Sequence, residues 1–162
     1  MGPAGEKGET GPKGDKGEQG ATGPSGITPD INATIYNMDS QQISNGTTLS
    51  MPNTLINNGM KIEDSSIVAR FTGTYIVSFS INNAENASPG DYVAVYKNGE
   101  MIEASKRPIT SSTNTSATFV YLLNQDEKIT LIPTVTQSKT LTNSGSPSAE
   151  LTLVLITYWI AY

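Results

Sequence analysis

Thr74-Tyr75-Ile76-Val77-Ser78-Phe79-Ser80-Ile81-Asn82 alternates along its length. Tyr75, Val77, Phe79 and Ile81 fall on one face of an extended chain, while Thr74, Ser78 and Ser80 share the other with Ile76. Side chains of a strand point to opposite sides in turn, so a period of two marks a half-buried strand. Aromatic and β-branched residues at these positions suit a pleated, packed surface. The stretch therefore predicts a sheet with one dry face.

The flanking sequence repeats the pattern. Tyr92–Lys97 and Glu100–Ala104 are joined by Asn98-Gly99. That dipeptide between alternating runs predicts a hairpin, because a type I′ turn needs positive φ at both residues. Thr115–Asn124 places Ala117, Phe119, Tyr121 and Leu123 on one side, and Gln125-Asp126-Glu127 turns the chain into Lys128–Thr136. Runs near Ile31–Asn37, Thr47–Met51 and Ile67–Phe71 read as further strands, and no stretch keeps a helical period. The fold class is all-β, with Tyr75, Val77, Phe79, Phe119, Tyr121 and Trp159 as the expected sandwich core.

Leu151–Tyr162 differs from the other strands. Leu151, Leu153, Leu155 and Trp159 lie on one face; Val154, Ile156, Tyr158, Ile160 and Tyr162 lie on the other. A strand apolar on both faces must be covered on both sides. One face can enter a sandwich core, and a neighbouring subunit can cover the second. Val154, Ile156, Tyr158 and Ile160 are thus the expected subunit interface. The alternative is a central strand shielded by a loop of its own chain.

The subunit number is written at the start of the chain. Gly2, Gly5, Gly8, Gly11, Gly14, Gly17, Gly20, Gly23 and Gly26 recur at every third position without a miss. Three polyproline-II-like chains wound together meet at an axis that only glycine fits, so this ladder predicts a collagen-like triple helix. A flexible Gly/Ser linker would show no such period. Within the ladder proline stands only directly after glycine, at Pro3, Pro12 and Pro24, so the third slot lacks its usual stabiliser. Lys7, Lys13 and Lys16 each precede an acidic residue by two positions, namely Glu9, Asp15 and Glu18. Each exposed pair contributes only about 0.2–1 kcal/mol, repeated on three chains. Eight such triplets read as the end of a longer repeat that needs a neighbouring domain to gather three chains.

After Gly26 the composition shifts, with only six glycines over the remaining residues. The division expected is a stalk over residues 1–26 and a head over 27–162. The net charge of −5 and scattered Lys/Arg argue against nucleic acid, which requires clustered basic surface. The apolar run at the C-terminus is too short to span a bilayer. There is no cysteine and no histidine, which removes thiol nucleophiles, the commonest general base and essentially all zinc sites. The adjacent carboxylates Glu63-Asp64 and Asp126-Glu127 cannot flank one bond from a single strand, where neighbours point to opposite faces. No enzyme is expected.

Arg70-Phe71-Thr72-Gly73-Thr74-Tyr75-Ile76-Val77-Ser78-Phe79 resembles a Phe-x-x-x-Gly-x-Tyr-x-(Val/Phe)-x-(Phe/Tyr) signature. That signature belongs to the globular heads of complement subcomponent q and their tumour-necrosis-factor-like relatives. Val95–Gly99, Ala117–Leu123 followed by Asp126–Ile129, and an apolar last strand continue the order. The resemblance covers about Ile31–Tyr162. It implies a jelly roll of about ten strands that trimerises on a threefold axis behind a collagen stalk. In style the chain is similar to Bacillus collagen-like exosporium glycoproteins and to heads of phage tail proteins. The implied setting is extracellular, on a spore or cell surface, with a virion tail fibre as the alternative. The implied partner is the chain itself. No cofactor is expected; calcium-binding members carry acidic residues near the axis, and Asp91, Asp126 and Glu127 read here as turn residues.

The turns are rich in Asn, Ser and Thr, notably Ser40–Thr48, Asn82–Pro89, Thr110–Ser116 and Gln137–Ser148. Such groups can hydrogen-bond sugars, and host or cell-surface glycans are candidate partners. The same composition also describes ordinary solvated β-turns.

Overall fold

The computed structural model describes residues 1–5 and 30–158. Gly8 to Gly26, Trp159, Ile160 and Tyr162 lie outside the described residues, while Gly2 and Gly5 are exposed with open space around them. Among the described residues there are thirteen strands, more than the ten expected because several are very short. They are β1 (Asn32–Asn37), β2 (Gln41–Ile43), β3 (Asn53–Asn58), β4 (Lys61–Glu63), β5 (Ser66–Val68), β6 (Gly73–Ile81), β7 (Tyr92–Lys97), β8 (Glu100–Met101), β9 (Arg107–Pro108), β10 (Thr115–Leu123), β11 (Lys128–Thr134), β12 (Lys139–Leu141) and β13 (Ala149–Tyr158). Among these residues no helix is long and apolar enough to cross a membrane.

Two sheets form a jelly-roll sandwich. One has the order β10-β6-β13-β1-β3; the other runs β4-β5-β11-β7-β8, with β9 also on β7. A separate small ladder joins β2 to β12. The alternation of β6 appears directly as burial: Tyr75, Val77, Phe79 and Ile81 are buried, and the residues between are half-exposed. Leu151, Leu153 and Leu155 of β13 and Val93, Val95, Ile129 and Leu131 of the second sheet close the same core. Phe119 and Tyr121 are partly buried and pack against its edge.

Four segments depart from the sequence expectation. Thr47–Met51 is not a strand; Leu49 N–H reaches Leu131 O at 2.9 Å, and Gly46 N–H reaches Pro133 O. Ile67–Phe71 shortens to β5 because the chain turns before Phe71. The second arm of the Asn98-Gly99 hairpin ends at Met101, and a one-turn 3-10 helix follows at Glu103–Ser105. Buried Ser105 holds that turn, its hydroxyl accepting from Val95 N–H at 2.8 Å and donating to Ile102 O at 2.6 Å. The turn at Asn98-Gly99 itself has the positive φ at both residues that the dipeptide predicts. The fourth departure, at Tyr158, bears on the interface.

Entry and exit of the head share one end. Asn32 opens β1 opposite Val154, and Leu155 N–H donates to Ile31 O. The far end holds Asn37, Ile81, Thr115 and Ala149, with the loops between them.

Candidate trimer interface

The first sheet has one face in the core and one face open. Strand registers order the open face into rows. Nearest the chain entry are Leu122, Thr74 and Thr157 across β10, β6 and β13. Next come Val120, Ile76, Val154, Asn32 and Asn58, then Thr118, Ser78, Thr152, Thr34 and Ile56. Ser116, Ser80, Glu150, Tyr36 and Asn53 form the row farthest from the entry.

The face is graded. Its entry end carries Val120, 60% exposed, with Leu122 and Ile156 also exposed and Ile76 and Val154 half-exposed. Its far end is hydroxyl-rich, with Ser78 bonded to Thr118 and Thr34 to Thr152, each at 2.9 Å. Glu150 is the one charged side chain in these rows among the described residues. The opposite edge strand, β3, is exposed along its whole length and shows Leu55 and Ile56 to solvent. A clustered exposed apolar surface on a folded chain marks a contact site.

Val154 and Ile156 lie on this open face, as their parity predicts. Tyr158 does not. The β6–β13 register shifts between Leu155 and Thr157, so Ile156 is an extra residue and the strand changes phase. Thr157 then stands opposite Thr74 on the open side, and Tyr158 stands opposite Gly73 on the core side. Its ring packs on Phe71 with centroids 5.4 Å apart. Tyr158, expected on the open face, is therefore placed by this phase change at the core edge beside Phe71. The bulge carries no signal in an apolar run, because both phases of such a run are hydrophobic.

Other singled-out residues hold the sandwich together. The buried Tyr75 hydroxyl donates to Phe71 O at 2.7 Å and accepts from Phe71 N–H, locking the turn ahead of its own strand. Burial pushes its phenol pKa up. Asp91 is buried; its carboxylate accepts from Ser88 N–H at 2.7 Å and from Thr136 N–H at 2.9 Å, and forms an ion pair with the Lys139 ammonium at 3.4 Å. Glu127 pairs with Lys97 at 3.1 Å and caps Asn124 N–H, while Glu63 pairs with Lys61. Asp64 and Asp126 occupy positive-φ turns. Each is accounted for by local structure, and no three acidic side chains among the described residues come together to hold a cation.

Three of the four polar loops meet at the far end, and the fourth, Ser40–Thr48, starts there. Asn82 Nδ2 donates to Thr142 O at 2.9 Å, Asn83 Nδ2 to Ser111 O at 3.1 Å, and Asn143 N–H to Ser40 Oγ at 2.9 Å. The loops thus brace one another across 28 to 103 residues of sequence.

No protein-family model matches the sequence, and no curated protein matches it. Solved structures do resemble the fold. A tumour necrosis factor, Eiger, from S. frugiperda superposes with a TM-score of 0.64 at 11% identity, covering 82% of this chain and 96% of that one. Murine APRIL gives 0.55 at 15% identity, over 78% and 99% of the two chains. The globular domain of zebrafish complement 1qA gives 0.51 at 13% identity, over 80% and 99%. At these identities the likeness is one of fold, and that fold is the jelly roll of tumour necrosis factors and complement-q heads.

Proposed function

We propose that the chain is a non-enzymatic, homotrimeric surface filament protein. Residues 1–26 form a triple-helical stalk, and residues 27–162 form the head that nucleates and registers it. The carrying observation is that the apolar end of the open sheet face lies where the chain enters the head. Three heads joined there deliver three stalk chains close together, which raises their effective concentration for winding.

The pattern of exposed apolar residues also favours a ring. Val120 and Leu122 sit on one edge strand, and Leu55 and Ile56 sit on the opposite edge. Two different patches on one subunit suit head-to-tail contact, which closes when the rotation permits. The glycine ladder sets the number at three. Val154 and Ile156 lie between the patches and belong to the same contact; Ile160 is retained in it from the sequence pattern. The role is that of a coat and adhesion tip outside a spore or bacterial cell.

A receptor-binding tip of a phage tail fibre is the second reading. The braced Asn/Ser/Thr-rich loops opposite the stalk favour it, as they form a preorganised polar surface for a glycan. Light scattering on the full chain tests assembly, with a mass of three chains expected and one chain overturning it. Immunogold labelling of spores and of phage particles from the source strain separates the two settings.

A further inference from the structure

The second sheet carries a recess of about 310 Å³ lined by Gly90, Asp91, Tyr92, Lys106 and Pro108. It lies on the side of the sandwich away from the proposed trimer face. Tyr92 has the opposite parity to the core residues Val93 and Val95, so its half-buried ring faces out of the sandwich. The exposed Lys106 Nζ stands 4.1 Å above that ring.

Three features separate this pair from an accidental surface contact. The backbone on either side of Lys106 is fixed: Ser105 is bound to β7, and the Arg107 guanidinium donates to Ala104 O at 3.0 Å and Lys106 O at 2.8 Å. Among the described residues the Lys106 ammonium has no carboxylate within ion-pair distance. The one carboxylate lining the recess, Asp91, is already bound to Lys139, Ser88 N–H and Thr136 N–H, so it does not oppose an incoming anion. In a chain of net charge −5, this is a cation without a carboxylate partner among the described residues, carried on a braced backbone beside an aromatic wall.

We propose that the recess binds a carboxylated monosaccharide, such as a uronic acid unit. The carboxylate pairs with the Lys106 ammonium and draws it off the ring, and the freed Tyr92 face takes the C–H face of the sugar. Charge-assisted bonds of this type are the strong ones, and an aromatic face supplies apolar contact at low entropic cost. The volume sits at the low end for ligand pockets, which fits one sugar ring rather than an oligosaccharide. The site is independent of assembly.

The test is amide chemical-shift titration of the full chain with methyl glucuronide, methyl glucoside and tri-glutamate. Methyl glucuronide should shift the Tyr92 and Lys106 signals with a Kd on the order of 1 mM, and methyl glucoside should not. Lys106→Gln and Tyr92→Ala should each weaken binding by about tenfold, and Lys106→Arg should restore it, all with unchanged trimer mass and dispersed spectra. Equal response to glucoside and glucuronide overturns the proposal, as does undiminished binding in Lys106→Gln. A larger response to tri-glutamate than to glucuronide would reassign the recess to acidic peptide, and no response to any probe refutes it.

Discussion

Gly73 and Tyr158 face each other across the β6–β13 ladder, and the bulge at Ile156 leaves room between them for a hydrogen but not for a methyl group. A Cβ on Gly73 would overlap the Thr157 carbonyl oxygen and stand 3.0 Å from both the Leu155 Cδ1 and the Tyr158 Cα. Two of those three neighbours are backbone, which yields little. Gly73→Ala should therefore destabilise the head by about 1–3 kcal/mol through overpacking. Chemical denaturation would read this as a lower midpoint at unchanged slope. An unaltered midpoint would mean the bulge relaxes at no cost.

Much of this architecture is legible in the sequence because it is local. The alternation of Tyr75 to Ile81 maps one-to-one onto burial, and Asn98-Gly99 makes the turn its φ requirement demands. The phase change at Ile156 is not legible, since Leu151–Tyr162 is hydrophobic in either register. The edge strand β3, Asn-Thr-Leu-Ile-Asn-Asn, is fully exposed and has no period to read. Thr47–Met51 has the residues of a strand but makes only isolated bonds to β11. The Asp91–Lys139 pair joins positions far apart in the chain, and nothing near either residue announces the other.

That pair gives the head a pH dependence of defined sign. Burial alone would raise the Asp91 pKa, but the N–H groups of Ser88 and Thr136 and the Lys139 cation outweigh it and hold the carboxyl below its ordinary value. A depressed folded pKa contributes stability that is present above the unfolded value, about 3.9, and is lost as pH falls through the folded one. Glu127 acts in the same direction: burial raises it, and the Asn124 N–H and Lys97 more than offset that. Stability should hold on acidification to about pH 4 and fall below it. Asp91→Asn should cost about 3–5 kcal/mol at neutral pH by leaving Lys139 buried without its counter-charge. It should also flatten the acid limb, with Glu127 and the exposed Glu63 beside Lys61 contributing to what remains. A limb of unchanged steepness would remove Asp91 from this role.

The contrast between Val120 and Tyr158 tests the interface. Val120 is exposed in the single chain, so Val120→Asp should change head stability by no more than about 0.5 kcal/mol. It should nonetheless reduce the mass seen by light scattering from three chains to one, because assembly would bury the new charge without a partner. Tyr158→Asp should do the reverse and lower the melting temperature, since its half-buried ring packs on Phe71 at the edge of the sandwich core. A trimeric Val120→Asp protein would exclude the open face of the first sheet as the contact.

Gly14→Ala separates stalk from head. At the axis of a triple helix a methyl group has no space, so one alanine on each of three chains disrupts the winding around it. The tract has little reserve against this: its prolines are few, and each Lys-Gly-acid pair contributes under about 1 kcal/mol. Among the described residues the core of the head runs from Ile31 to Leu155, with Tyr158 packed against it, and under the proposed division it owes nothing to the ladder. Gly14→Ala should therefore lower the transition seen in triple-helix circular dichroism, while the melting of the β signal and the trimer mass stay unchanged. If the two signals instead fall together at one lowered temperature, the stalk stabilises the head and the proposed order of assembly is reversed.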